Sequence, residues 1–469
     1  MKKIVSILAG LAVAWSASAG VVLPEIIGDG MVLQQRASVR LWGWAEPRTA
    51  VTVETSWGES GAVRSGDDGR WVARLQTPAG SYEPRRITIG SGGDSVTLCD
   101  VLIGEVWFAG GQSNMEMPLG GFTNCPVEGA NDVIARAGAM RDCIRYAKID
   151  RSPSHDPQLR VGGRWCALSP ETAPRCSAVG YFFAEMLSDV LDVPVGIIDC
   201  TVGGTRVEGW LSREVLAGYP DVDLSPEGID AGLEWLRPLV MFNGMVNPLT
   251  DYTIRGFLWY QGESNVDRYD VYAERLADLA ALWRERWGEG DIPFYFVEIA
   301  PFGTAEGMRS ALLREAQCRA RTLIPNSGMV STNDLVEPFE AGNIHPRHKR
   351  EVGRRLACWA LNRTYGFGTI ACESPEFEAA EFRDGRAWIT LSSVGDGFGR
   401  LTGIEGFEIC GADRVFRPAE ARVDGTRLVV SSPEVAEPVA VRYAFRDYLP
   451  GNLTNLRGLP VVPFRTDDF

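Results

Sequence analysis

Five short segments of this 469-residue chain carry side chains suited to acyl transfer. Gly110-Gly111-Gln112-Ser113-Asn114-Met115 and Val202-Gly203-Gly204-Thr205-Arg206 each follow an apolar run, and Trp259-Tyr260 leads into Gln261-Gly262-Glu263-Ser264-Asn265. Asp334 follows a fourth run, and Gly342-Asn343-Ile344-His345-Pro346 precedes a helical stretch. A serine hydroxyl becomes an effective nucleophile when an adjacent base accepts its proton. The oxyanion formed at an ester carbonyl must then meet preorganised amide donors. The segments hold serines, glycine amides, carboxamides and a histidine, which is that set. The chain has only three histidines. His155 lies in a Ser/Pro/Asp loop and His348 sits in a basic run after a proline, so His345 is the best-placed base. Ser113 is preferred over Ser264, whose neighbours Gln261 and Glu263 read as positioning groups. No Gly-x-Ser-x-Gly elbow surrounds Ser113, so the common α/β-hydrolase arrangement is not supported.

These groups cooperate only if the fold brings them to one rim. Val101 to Ala109 is a nearly continuous apolar run, as expected of a strand buried on both faces of a parallel sheet. Similar runs recur at 195–198, 254–260, 294–300 and 328–331, alternating with helical patterns at 179–191, 271–287, 308–322 and 347–362. Strand and helix in alternation imply an α/β domain with a mostly parallel sheet, over residues 100–365. In such sheets ligands bind beyond the carboxyl ends of the strands, where four of the five segments fall, the fifth lying at the entrance of the last helix. Residues 20–99 and 366–469 carry short alternating strands instead, with turn signals at Asp68-Gly69 and Asp424-Gly425. Both predict β-sandwich-like domains flanking the α/β unit.

Composition narrows the partners. With 47 Lys and Arg against 61 Asp and Glu, the net charge is −14, which excludes the basic surface that nucleic acid or an anionic membrane requires. Residues 1–19 join Lys2 and Lys3 to an apolar run and then Ala17-Ser18-Ala19, the pattern of a cleaved secretory signal. The expectation is a secreted or periplasmic protein with no membrane association after cleavage. Ten cysteines form no CxxC or CxH pattern, which argues against a zinc site and leaves any pairing open.

Gly111-Gln112-Ser113-Asn114-Met115, Trp259 to Asn265 and Ile344-His345-Pro346 resemble, in this order, the signature blocks of the sialate O-acetylesterase family of SGNH-type carbohydrate esterases. Gly28 to Gln34 is similar to that family's amino-terminal segment, and Gly406 to Ile409 with Val439 to Tyr443 to its carboxyl-terminal β domain. The resemblance implies a three-layer SGNH-like catalytic domain and a serine esterase that removes O-acetyl groups from sugars without metal or cofactor. It implies Ser113 as nucleophile and His345 as base. The oxyanion hole would combine the Ser113 amide, a glycine amide from Gly203-Gly204 and the carboxamide of Gln261, with Asn265 as the alternative.

One position departs from the family pattern, which usually reads Asp-Ile-His where this chain has Asn343-Ile344-His345. A carboxylate on the histidine fixes its tautomer and stabilises the imidazolium, and its loss to Asn in a serine protease costs about ten-thousandfold in turnover. Three readings stay open: Asn343 orients His345 as a neutral partner, or Asp334, Glu337 or Glu340 takes the role, or the enzyme is weakened. Arg206 is either a solvated surface arginine or a contact for a substrate carboxylate. Two further functions stay open: an esterase for acetylated xylan or another polysaccharide, and a noncatalytic carbohydrate-binding protein with a degenerate site.

Overall fold

An 18-residue strand, β1 (Asp94–Gly111), links two parts of the chain. A computed structural model describes residues 20–304 and 306–469. The secretory-signal expectation falls on residues 1–19 and lies outside the described residues. The first half of β1 pairs antiparallel with Ser81–Ser91 of the amino-terminal β region, and from Val101 onward every residue of the strand is buried. The boundary read at residues 99 and 100 therefore falls inside one continuous strand. One apolar core runs across it, holding Val39, Leu41 and Val51 together with Phe108, Phe257 and Trp283.

The central sheet adds β2 (Ile144–Ile149), β3 (Gly163–Ala167), β4 (Val195–Thr201), β5 (Gly256–Tyr260), β6 (Phe294–Val297) and β7 (Ser327–Val330). The spatial order is β7-β6-β5-β1-β4-β2-β3, parallel throughout except for the antiparallel edge strand β3. Strands β2 and β3 were not expected from the sequence. Successive side chains of β1 point to opposite faces. Phe108 packs with α3 (Tyr269–Trp287) and α4 (Arg309–Leu323), whereas Trp107 and Ala109 pack with α2 (Ala178–Leu191) and α5 (Lys349–Trp359). The α/β unit is thus a mostly parallel sheet between two helical layers. The chain leaves β1 toward β4 and β2 on one side, then returns to build β5, β6 and β7 on the other. That reversal opens a crevice at the carboxyl ends of β1, β4 and β5.

Carboxyl-terminal to α5, two antiparallel four-stranded sheets face each other. Ile389, Leu428 and Val430 of one meet Ile409, Val441 and Tyr443 of the other. Asp424-Gly425 makes the expected tight hairpin, with Gly425 at φ 63°. Arg314 of α4 donates to the carbonyls of Ala444 and Arg446, which ties this unit to the α/β layer. All ten cysteines are free thiols, and among the described residues no helix is long and apolar enough to cross a membrane.

Candidate active site

Ser113 is the first residue of a one-turn helix, α1 (Ser113–Glu116), which starts directly after β1. The turn between them requires glycine: Gly111 has φ 134°, and a Cβ there would sit 2.2 Å from the Tyr260 carbonyl oxygen. Gln112 then anchors the turn to the next strand end, its Oε1 accepting from the amides of Gly262 (3.2 Å) and Ser264 (3.4 Å). As the first amide of a helix, the Ser113 N–H has no acceptor within α1. Gly203, after β4, lies alongside: a Cβ on it would be 3.4 Å from the Ser113 Cβ.

The structure brings His345 to Ser113. Its Nε2 lies 2.8 Å from the Ser113 Oγ. The loop that carries the imidazole is held by the residue next to the serine. Asn114 Nδ2 donates to the Ile344 carbonyl (3.0 Å) and to Glu263, while its Oδ1 accepts from Lys349 Nζ at 2.6 Å. Because a carbonyl can only accept, this network fixes which way the Asn114 carboxamide points. Phe122 packs edge-on against the imidazole with ring centroids 5.2 Å apart. Burial, reinforced by the nearby Lys349 charge, lowers the His345 pKa to about 4. Lys349 is itself buried, which lowers its pKa to about 7 despite the attraction of Glu263 and Glu340. Burial raises the Glu263 carboxyl.

No carboxylate reaches the other imidazole nitrogen among the described residues. Asp334 is spent on a two-pronged ion pair with Arg355, at 2.7 and 2.8 Å. Glu340 pairs with Arg347 at 3.0 Å, and Glu337 lies 3.3 Å from His348. Asn343 does touch His345, but through the backbone: its Oδ1 accepts from the His345 amide at 3.0 Å. Among the described residues the hydrogen-bonding partner of His345 Nδ1 is the thiol of Cys125, at 3.9 Å.

Three of the oxyanion-hole expectations also meet a different geometry. Gln261 is fully buried, and its Nε2 donates to the Thr205 carbonyl (3.0 Å) and to Asn265 Oδ1 (2.8 Å), while its Oε1 accepts from the Tyr272 hydroxyl. Asn265 donates to Glu208 at 2.9 Å and accepts from the Val207 amide at 3.0 Å. Both Nε2 hydrogens of Gln261 are thus engaged away from Ser113, and Asn265 Nδ2 is turned to Glu208. The Gly203 amide is committed to Glu116 Oε2 at 2.7 Å. Among the described residues the amides of Ser113 and Gly204 have no acceptor.

The remaining candidates lie elsewhere. The Ser264 hydroxyl donates to the Gly204 carbonyl at 2.8 Å. Arg206 donates to the Ser264 carbonyl (2.9 Å) and pairs with Asp267 (3.0 Å). His155 pairs with Asp230 and His348 with Glu128. No cluster of three His, Cys, Asp or Glu side chains suited to a metal occurs among the described residues. Sequence reasoning missed Asn114, Phe122, Cys125, Lys349 and Trp235. The half-buried Trp235 indole borders the glycine turn, since a Cβ on Gly204 would come within 2.8 Å of its ring, and the Arg151 guanidinium lies 5.9 Å from the ring centroid. Only Asn114 carried a signal, as the immediate neighbour of the serine within its motif.

Comparison with known proteins gives consistent results. A family model described as carbohydrate esterase, sialic acid-specific acetylesterase, matches residues 104–362. The human sialate O-acetylesterase is 28% identical over 412 residues, covering 80% of this chain and 77% of that protein. The mouse sialate O-acetylesterase is 26% identical over 496 residues, covering 92% and 91%. The crystal structure of a carbohydrate acetylesterase from Xanthomonas citri superposes with a TM-score of 0.85 at 35% identity, covering 96% of this chain and all of that one.

Proposed function

This chain belongs to the carbohydrate esterase, sialic acid-specific acetylesterase family, and from that membership we propose that it hydrolyses O-acetyl esters on sugars, sialic acids foremost, through an acyl-enzyme on Ser113. The observation that carries the reading is the 2.8 Å contact between Ser113 Oγ and His345 Nε2 at the crevice of the central sheet. In the neutral imidazole only one nitrogen accepts, so the proton resides on Nδ1 when Nε2 faces the serine. Ser113 Oγ attacks the acetyl carbonyl and His345 takes the hydroxyl proton. The tetrahedral intermediate places its oxyanion near the Ser113 amide at the start of α1, with the Gly204 amide as second donor. Collapse breaks the bond to the sugar oxygen, which leaves with the proton from His345. Water then attacks the acetyl-serine with the same base and releases acetate.

The order of serine, glycine and histidine blocks on a three-layer α/β unit supports an SGNH-type reading of the domain. Trp235, at the edge of the glycine turn, offers an aromatic face for the sugar ring. The residue 1–19 pattern supports export to a secreted or periplasmic location. Acetate release from a 9-O-acetyl sialic acid and from acetylated xylan, measured side by side, tests the substrate: release from xylan alone overturns the sialate reading. A serine-reactive fluorophosphonate separates catalysis from mere binding. The native chain should label and Ser113→Ala should not; an unlabelled native chain would return the protein to the class of noncatalytic carbohydrate binders.

A further inference from the structure

The tautomer required for catalysis puts a proton on His345 Nδ1, and that proton needs an acceptor. In serine hydrolases the acceptor is ordinarily a carboxylate, which orients the ring and stabilises the imidazolium. Here Asp334, Glu337 and Glu340 are engaged with Arg355, His348 and Arg347. What stands opposite Nδ1 is a hairpin. Phe122 and Cys125 exchange backbone bonds, Phe122 N–H to Cys125 O at 3.0 Å and Cys125 N–H to Phe122 O at 2.9 Å, with Asn124 at φ 60° in the turn. The two side chains at its base grip the imidazole: the Phe122 ring meets it edge-on, and the Cys125 Sγ lies 3.9 Å from Nδ1.

Asn343 completes the arrangement. Its Oδ1 accepts from the His345 amide at 3.0 Å and from the Cys125 S–H at 3.3 Å. A thiol is a weak donor and its sulfur a weak acceptor. With the S–H directed to Asn343, the sulfur lone pairs are left for the Nδ1 proton. We propose that Cys125, with its S–H held by Asn343, is the positioning residue of His345 and accepts the Nδ1–H bond where a carboxylate ordinarily would. The proposal rests on the Ser113–His345 reading above. It explains how this chain departs from Asp-Ile-His and keeps an ordered base: the polarity at Nδ1 comes from a neutral pair on two loops, a thiol and a carboxamide. The titratable groups facing the imidazole are Ser113 from α1, Cys125 from the hairpin and Lys349 from α5.

The test uses the full chain and three variants, Cys125→Ala, Cys125→Ser and Cys125→Asp, with acetate release followed from pH 3.5 to 9. Loss of acetate release in Ser113→Ala establishes the underlying reading separately. Cys125→Ala should lower kcat by roughly tenfold to a hundredfold, short of the loss that follows removal of a charged partner, with KM changed by less than about twofold. Cys125→Ser, which keeps a donor and an acceptor, should recover most of kcat. Cys125→Asp should move the acid limb of kcat/KM upward by about one pH unit or more, since a carboxylate beside Nδ1 favours the imidazolium. An unchanged kcat in Cys125→Ala, or an acid limb that does not move in Cys125→Asp, would overturn the proposal. If Cys125→Ala fails to fold, the pH limb of Cys125→Asp decides.

Discussion

The dipeptide Ser-Asn occurs at two neighbouring strand ends, Ser113-Asn114 after β1 and Ser264-Asn265 after β5, and the two copies do different work. Both asparagines are fully buried and both bind three partners. Asn114 clamps Ile344 and so carries the histidine loop to its own serine. Asn265 clamps Val207 and Glu208, the segment beyond the glycine turn. Ser264 closes that second clamp by bonding the Gly204 carbonyl, so its hydroxyl is a structural donor, with no histidine bonded to it among the described residues. Chemistry is therefore assigned by what the tertiary fold sets opposite each serine. The second copy braces the turn from which an oxyanion donor would come.

The strongest way to break this contrast is to exchange the losses. Ser113→Ala should lower kcat for acetate release by at least about ten-thousandfold. Ser264→Ala should leave kcat within about threefold and cost about 0.5–1.5 kcal/mol of stability, the net worth of one hydrogen bond. Equal damage from the two would mean that the serines share the chemistry. The asparagines and Gln261 sharpen the comparison at smaller scale. Asn114→Ala should reduce kcat by roughly tenfold to a hundredfold by freeing the His345 loop. Gln261→Ala and Asn265→Ala should instead appear in thermal unfolding, at about 1–3 kcal/mol each for the buried partners left unsatisfied. A hundredfold fall in kcat for Gln261→Ala at unchanged Tm would restore it to the oxyanion hole.

What the sequence revealed follows the same line. Runs that are apolar on both faces, such as Phe257 to Tyr260, and glycines forced by a turn, such as Gly111, are local signals. Strand β2 was hidden because Arg145 and Lys148 interrupt its apolar run. Both charges are tolerated in the sheet because Asp100 lies 2.8 Å from Arg145 and Asp199 lies 3.1 Å from Lys148, partners far off in sequence. The same limit governs the site. Ser113 and His345 could be picked out by residue type and position, whereas the fate of Gln261 depends on Tyr272 and that of Asp334 on Arg355. A carboxamide at a strand end looks free until the helix that captures it is in place. Cys125, on a hairpin between elements, had no periodic pattern to mark it.

The smallest expected effect separates the two copies by pH. The first copy faces titratable groups whose pKa values burial has shifted. His345, lowered from an ordinary 6.5 to about 4, stays neutral and able to accept a proton through the acid range, so kcat/KM should hold to about pH 5 and fall by half near 4. Lys349→Gln removes the second, weaker cause of that shift and leaves burial in place. The acid limb should therefore rise by less than about one pH unit. Stability follows with a definite sign. The unfolded chain binds a proton at His345 near 6.5 and the folded chain only near 4, so stability falls as pH drops through that window. Lys349, at about 7 when folded and 10.5 when free, makes stability rise with pH between those values, and Lys349→Gln should abolish that second rise while only narrowing the first, whose main cause is burial. Thermal unfolding of both proteins from pH 4 to 10 checks the pair of slopes. Ser264→Ala should leave both unchanged, since the shifts of His345 and Lys349 come from burial and from neighbouring charges and not from its hydroxyl.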